Sequence, residues 1–463
     1  MTPVFDPLRF SAVSLDVLAC TRASPQGIAD RQRARLAALL TSAMRDSRFY
    51  QAHLRGVVPG TTPLAAIPSV GRQTLMDHFD DWVTDPQLTL DALRRFTADA
   101  GRIGQPYLGK YLVWESSGTS HQPGIFVQNA HTMAVYDALE SLRRCAVRPL
   151  QRWVDPFMLS ERFAFVGATT GHFASFITVQ RTRELNPWLA HSMQSFSILQ
   201  PVRTLVDALN AYRPTVIATY PTAAAMLAEE AMRGTLKHRP REVWTGGETL
   251  RPAVRSAIER ALDCTVRNSY GASEFISLGW ECNHGHLHLN ADWVMLEPVD
   301  AHGRPTPAGE LSHSTLLTHL ANPVQPLIRY ELGDQVVVHQ GPCPCGSTLP
   351  TIAVQGRRDD PLVMAGRHGR PVTLLPLALT TVLEDEAGVF DFQLCQQSDH
   401  LLVLRLPVQG QEGERAAERC RRALGAFAAA QELQPIQLKV ELGKTLSRGR
   451  SGKVQRIVAI HGA

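Results

Sequence analysis

Residues 111–124 read YLVWESSGTSHQPG. An apolar run ending in Trp114 passes into Ser116, Ser117, Gly118, Thr119 and Ser120, and then into Pro123 and Gly124. The pattern predicts a strand that feeds an anion-sized loop. Small hydroxyl residues and glycine let backbone N–H and side-chain O–H groups converge on a phosphate without Cβ crowding. Similar clusters occur in ordinary turns, so the reading depends on what lies around the loop.

Downstream the chain alternates. Residues 131–146 carry apolar positions at helical spacing, 163–170 (FAFVGATT) read as strand and turn, and 195–200 (SFSILQ) as strand. A helical stretch at 205–212, a buried strand at 214–221 (PTVIATYP), a helix at 222–233 and a strand and turn at 242–248 (EVWTGGE) follow. Helix and strand in turn predict an α/β fold with a mostly parallel sheet. Upstream, residues 28–47 place Ile28, Leu36, Leu39, Leu40, Ala43 and Met44 on one helical face. Prolines 59, 63, 68 and 86 then break shorter helical patterns, so 1–105 reads as a helical lead-in to the 106–288 α/β core. From 289 short strands and turns predict a β-rich subdomain to 356. The remainder, 357–463, reads as a small α+β domain with strands at 400–408 and 436–442 around a helix at 412–430.

A chain of 463 residues is longer than one core usually organises, in keeping with a large domain over 1–356 and a small one after it. At 44% hydrophobic and 19% charged residues the composition is that of a globular protein. The net charge of +4, from 47 basic and 43 acidic residues, gives no electrostatic case for a nucleic-acid partner. No run approaches the roughly 20 apolar residues that span a bilayer. The start, MTPVFDPLRF, lacks a basic segment followed by an apolar core, which predicts a cytoplasmic protein with no membrane partner.

Further short stretches follow the opening loop in order: GGE (246–248), YGASE (270–274), RYELGD (329–334), GRRDD (356–360) and SRGRSGKVQR (447–456). Each is weak alone; together, in this order, they resemble the adenylate-forming superfamily of acyl-CoA synthetases and adenylation domains. Within it, PLIRYELGD (326–334), CPCGSTLP (343–350) and ECNHGHLH (281–288) make the chain similar to the phenylacetate–CoA ligase branch. The resemblance implies ATP-dependent formation of an acyl-adenylate with release of pyrophosphate, then transfer of the acyl group to coenzyme A with release of AMP.

Carried over residue by residue, the resemblance gives Ser116, Ser117, Gly118, Thr119 and Ser120 the β- and γ-phosphates, and lays Gly246, Gly247 and Glu248 along the adenine. Tyr270 packs near the base with Gly271 beside it. Glu274 holds Mg²⁺, a hard cation suited to a carboxylate, and Asp334 accepts both ribose hydroxyls. Arg357 reaches ribose and phosphates, Asp359 marks the hinge, and Lys453 bridges the carboxylate and the α-phosphate, with Arg448, Arg450 and Arg456 beside it. Tyr136, Phe165, Tyr220, Ala272 and Phe275 are candidate walls of a pocket for an aromatic acid.

Cys282, His284, His286 and His288 follow YGASE, and Cys343 and Cys345 lie in GPCPCG. Cysteine and histidine contributed by two separated segments suit a structural Zn²⁺ site. The resemblance gives Cys282, His288, Cys343 and Cys345 as ligands, with His284 or His286 as the alternative histidine. Cys20, Cys145, Cys264, Cys395 and Cys420 have no partner pattern and read as small hydrophobes.

The chain departs from the family in two places. His121 and Gln122 stand where glycine and lysine are expected, so the phosphate loop carries no cation. RHGRPVTLLPLAL (367–379) retains Pro371 but lacks the family's glutamate, which leaves the second acceptor open: coenzyme A, the phosphopantetheine thiol of a carrier protein, or an amine. A nucleotide-binding protein without turnover is the reading from another class, and a homodimer is compatible with all three.

Overall fold

The computed structural model describes residues 4–116, 123–144, 161–339, 341–355, 361–367, 369–444, 446 and 455–459. Ser117, Gly118, Thr119, Ser120, His121, Gln122, Cys145, Arg357, Asp359, Arg448, Arg450 and Lys453, with the 356–360 boundary, lie outside them.

The lead-in is helical. Ser24 Oγ accepts the Gly27 N–H and Pro25 occupies the first turn, so the helix Pro25–Asp46 starts where capping chemistry allows. It buries Ile28, Leu36, Leu39, Leu40 and Ala43, as their spacing predicts. Strands β1 (Leu112–Glu115) and β2 (Ile125–Gln128) then pair antiparallel, from Leu112 opposite Gln128 to Glu115 opposite Ile125. The loop that opened the sequence reading therefore joins the two strands of a hairpin.

The central sheet has nine strands. β3 (Phe163–Gly167), β4 (Met193–Ser197), β5 (Val216–Thr219), β6 (Glu242–Thr245) and β7 (Thr265–Ala272) are mutually parallel. Antiparallel strands β8 (Phe275–Glu281) and β9 (Leu287–Leu289) continue it. β10 (Val294–Val299), β11 (Ser314–His319) and β12 (Tyr330–Glu331) form a separate three-stranded sheet. β13 (Gln335–His339) and β14 (Thr351–Gln355) return to the large one, whose order is β13-β14-β9-β8-β7-β6-β5-β3-β4. The sheet is thus mixed rather than mostly parallel, because after β7 the chain turns back through a tight hairpin instead of crossing over through a helix.

The parallel half is covered by helices Val202–Tyr212, Pro221–Met232 and Pro252–Leu262, whose Leu205, Leu209, Ala224, Leu227 and Ile258 are buried against Ala164, Val166, Ile217 and Val243. Beyond residue 361, β15 (Leu362–Ala365) pairs with β16 (Pro371–Leu374). β17 (Gln393–Gln396), β18 (Leu401–Leu406), β19 (Gln437–Leu442) and β20 (Ile457–Val458) form a four-stranded sheet in the order β19-β18-β17-β20. The helix Gly410–Ala430 covers this α+β unit, and its Leu424 and Phe427 join the same buried cluster as the helices of the parallel half. Gln431 Nε2 donates to Leu199 O at 2.6 Å, so polar contacts accompany the apolar ones. Among the described residues, no helix is long and apolar enough to cross a membrane.

Candidate active site

Loops at the carboxyl ends of parallel strands are where an α/β sheet opens to a ligand. Ala168 after β3, Tyr220 after β5, Gly246 and Gly247 after β6, and Tyr270 to Ala272 at the end of β7 all line one cleft of about 3060 Å³. Across it stand Leu377, Thr380, Gln455 and Arg456 of the C-terminal unit.

The turn between β7 and β8 delivers Glu274. Ala272 pairs with Phe275 and the ladder shifts register between Tyr270 and Ala272. A Cβ on Gly271 would sit 2.2 Å from the Ile276 carbonyl oxygen, so glycine is obligatory there. Glu274 is buried at the cleft wall, and its Oε1 accepts the Tyr330 O–H at 2.7 Å. Asp334, four residues beyond Tyr330, accepts the Tyr270 O–H on Oδ2 at 2.9 Å. Two carboxylates are thus each held by a buried phenol, and the tyrosines cross over between the YGASE and RYELGD stretches. Burial, with the charge of Asp334 next, raises the Tyr270 phenol well above its ordinary value; burial and then Glu274 do the same to Tyr330. Both phenols remain donors, and a carboxylate that accepts one hydrogen bond keeps lone pairs for a cation or a sugar hydroxyl.

Ser116 closes the hairpin loop at its base: its N–H donates to Gly124 O at 2.8 Å and its Oγ accepts the Gly124 N–H at 3.0 Å. Arg72, to which no sequence signal pointed, donates from Nη1 to the same Oγ at 3.2 Å. Gly247 has φ +78° with the Tyr220 ring 3.2 Å from where a Cβ would be, so the GGE turn packs flat against that ring. Glu248 lines the cleft, yet its carboxylate also accepts the Thr222 N–H and O–H, both at 3.0 Å. It caps the helix Pro221–Met232, whose own N-cap residue, Tyr220, makes no side-chain cap.

Of the expected pocket residues, Tyr136, Phe165, Tyr220 and Ala272 line the cleft. Phe275 does not: it is fully buried, with its ring 5.1 Å from Tyr136 and 4.5 Å from His319. Strand alternation explains this: in β8 it is Ile276 that lines the cleft, so its neighbour Phe275 points to the opposite, core face. His319 Nδ1 accepts the Ala321 N–H at 3.2 Å, so Nε2 carries the proton and donates to Tyr136 Oη at 2.9 Å. Burial first, and His131 second, push the His319 imidazole down to about 3.

Arg456 also differs from expectation. Rather than offering its charge to an anion, it is buried: Nη1 donates to Glu384 at 2.7 Å, Nη2 to Phe390 O at 2.8 Å, and the guanidinium lies 4.1 Å from the Phe392 ring centre. It anchors the start of β20, directly after the segment that carries Lys453.

Cys282, His288, Cys343 and Cys345 converge, with one donor atom from each lying within 4.8 Å of every other. Cys282 Sγ is 3.8 Å from Cys343 Sγ, and Cys345 Sγ is 3.3 Å from His288 Nε2. Zn–S bonds of about 2.3 Å and a Zn–N bond of about 2.0 Å at tetrahedral angles give donor separations close to these. His288 Nδ1 donates to Leu349 O at 2.8 Å, which fixes the tautomer that leaves Nε2 bare toward the sulfurs. Of the three histidines it is the buried His288 whose nitrogen lies in this four-donor group; His284 and His286 are exposed, with His286 Nδ1 3.1 Å from Cys343 Sγ. Of the other described cysteines, Cys20, Cys395 and Cys420 are buried and Cys264 is half-buried.

The comparisons with known proteins agree with this arrangement. Residues 171–311 match the family model described as AMP-binding enzyme. The chain shares its fold with 2-hydroxyisobutyryl-CoA ligase solved with 2-HIB-AMP and CoA in the thioesterification state. The TM-score is 0.59 and the identity 19%, over 95% of this chain and 91% of that one. An open conformation of the same ligase matches with a TM-score of 0.52 at 18% identity, over 93% of this chain and 91% of that one. Protein CapK of Staphylococcus aureus is 28% identical over 133 residues, a match spanning 28% of this chain and 28% of that protein's own length. The fold is the one seen in the 2-hydroxyisobutyryl-CoA ligase structures. The match to the AMP-binding enzyme model thus covers β4 to β10 with the helices between them, inside a chain that shares its overall fold with that ligase.

Proposed function

We propose that this protein activates a carboxylic acid with ATP and passes the acyl group to the thiol of coenzyme A. The observation that carries the reading is the convergence of Ser116, Gly246, Gly247, Tyr270, Glu274 and Asp334, from separate stretches of sequence, on one cleft.

In the first step a carboxylate oxygen of the acid attacks the α-phosphorus, the new O–P bond forms, and the bond to pyrophosphate breaks. Asp334, oriented by Tyr270, accepts the ribose hydroxyls; Gly246 and Gly247 lie along the adenine; Ser116 with Ser117, Gly118, Thr119 and Ser120 receives the β- and γ-phosphates. Glu274, oriented by Tyr330, would hold Mg²⁺, which would supply charge neutralisation on the phosphate oxygens. Lys453 and Arg357 stabilise charge on the reacting phosphate. In the second step the thiolate sulfur attacks the acyl carbon, the thioester forms, and AMP leaves. Asp359 is the hinge between the large and small domains.

Tyr136, Phe165 and Tyr220 give the cleft aromatic walls, which supports an aryl or arylacetic acid and a place in the phenylacetate–CoA ligase branch. The altered stretch at 367–379 supports a second reading, the same adenylation with a carrier-protein thiol or an amine as acceptor. The cluster of Cys282, His288, Cys343 and Cys345 would hold a structural Zn²⁺, since four protein ligands would leave no open position for catalysis.

A pyrophosphate-release screen over aromatic and aliphatic acids tests the function, followed by mass detection of the product with coenzyme A, a carrier protein or amines. Release with an arylacetic acid and a coenzyme A thioester is the expected result. No release with any acid would reject the enzyme reading, and an amide or a loaded carrier would transfer the assignment to the second.

A further inference from the structure

The loop 116–124, SSGTSHQPG, contains neither lysine nor arginine. Glu115, Glu274 and Glu331 line the same cleft as Ser116, the residue at the root of that loop. Carboxylates repel a polyanion. Mg²⁺ on Glu274 would offset part of that charge, and a cation from elsewhere in the chain would offset more of it where the loop supplies none.

Arg72 is in position to be that cation. The extended residues before it are tied to β12: Val70 N–H donates to Arg329 O at 3.1 Å and Glu331 N–H donates to Val70 O at 3.0 Å. The tie carries the 70–72 segment alongside Tyr330, the residue that orients Glu274. Arg72 is half-buried, lines the cleft, and directs Nη1 to Ser116 Oγ at 3.2 Å. Ser116 Oγ, accepting from both Arg72 and the Gly124 N–H, is left with its own O–H to donate. A guanidinium and a hydroxyl donor thus stand together at the root of the loop.

We propose that Arg72 is the phosphate-binding cation of this site, its guanidinium meeting the β- and γ-phosphate oxygens of ATP beside Ser116. The planar fork of arginine matches a phosphate's oxygens and remains charged at any working pH. The proposal rests on the reading of the cleft as an ATP site, and it gives a residue outside the loop the role that no residue within it can take.

The test is binding of ATP, pyrophosphate and AMP, measured by titration calorimetry, to the full-length wild type and to R72Q and R72K. AMP lacks the phosphates that Arg72 addresses, so it separates a phosphate contact from a general disturbance of the cleft. A lost charge-assisted contact predicts that R72Q binds ATP and pyrophosphate about 10- to 100-fold more weakly. AMP affinity stays within about twofold, and R72K recovers part of the loss. Equal weakening of ATP and AMP in R72Q would overturn the proposal in favour of a packing role, as would unchanged ATP binding. A wild type that binds none of the three would remove the nucleotide reading beneath it.

Discussion

The cleft and the cysteine–histidine cluster are built from neighbouring strands but are arranged in opposite ways. In the cluster, the four donors of Cys282, His288, Cys343 and Cys345 face one another, and the spare nitrogen of His288 is bound to a backbone carbonyl. In the cleft, Glu274 and Asp334 face outward, each held from behind by a tyrosine that belongs to the other's stretch of sequence. A closed set of donors can bind an ion and hold β9 to the segment leading into β14. A set oriented along the wall of a cleft can bind something that arrives and leaves. The cluster should therefore govern stability and the cleft should govern turnover.

The largest effect is expected from breaking the cluster. Cys343→Ser should lose the bound metal and lower Tm by about 5–10 °C, with kcat at low temperature close to that of the wild type. Metal analysis, a thermal melt and an activity assay on the same preparation check this. Loss of activity with no change in Tm would reverse the assignment of the two regions. The next largest comes from the cleft. Tyr330→Phe removes the donor to Glu274 and should cost about 1–3 kcal/mol of nucleotide–metal binding, roughly tenfold or more in the Mg²⁺ dependence of the rate, with little change in Tm. A melt as strongly affected as the rate would show that the pair is structural.

A smaller, pH-dependent effect sharpens the contrast from behind the cleft. His319, at about 3, stays neutral in the folded protein well below its unfolded value of 6.5. A depressed folded value contributes stability that is fully present above pH 6.5 and is lost as pH falls toward 3, by up to about 1.4 kcal/mol per pH unit. His319→Asn should flatten the fall in Tm between pH 6.5 and pH 4. An unchanged slope would place the acid sensitivity elsewhere.

Much of the fold was legible in the sequence because periodicity and capping are local. The helix Pro25–Asp46, the strands β3, β5 and β6 and the helix Gly410–Ala430 all follow from apolar spacing. The cluster was legible for another reason: thiols and imidazoles grouped beside tight turns have few other uses. The antiparallel end of the sheet was not, since pairing of β9 with β14 depends on a partner 63 positions away, at Thr351 opposite His288. β2 was missed as well, for IFVQ is too short for alternation to register. Of the site, the carboxylates and Tyr270 came from motifs, but the hydrogen bonds by which Tyr270 and Tyr330 orient those carboxylates came only from the structure. Arg72 and the buried Arg329, which ties Glu297 to Ala65 O, act through contacts more than 30 residues distant in sequence. Phe275 and Arg456 were placed by residue type toward ligand; packing turned both inward.

The most direct test of the central claim is pyrophosphate release from ATP by the wild type and by Lys453→Ala, with and without an arylacetic acid. The account predicts release that depends on the acid and falls by about 100-fold or more in the variant. Release that is independent of acid, or equal in the two proteins, would contradict it.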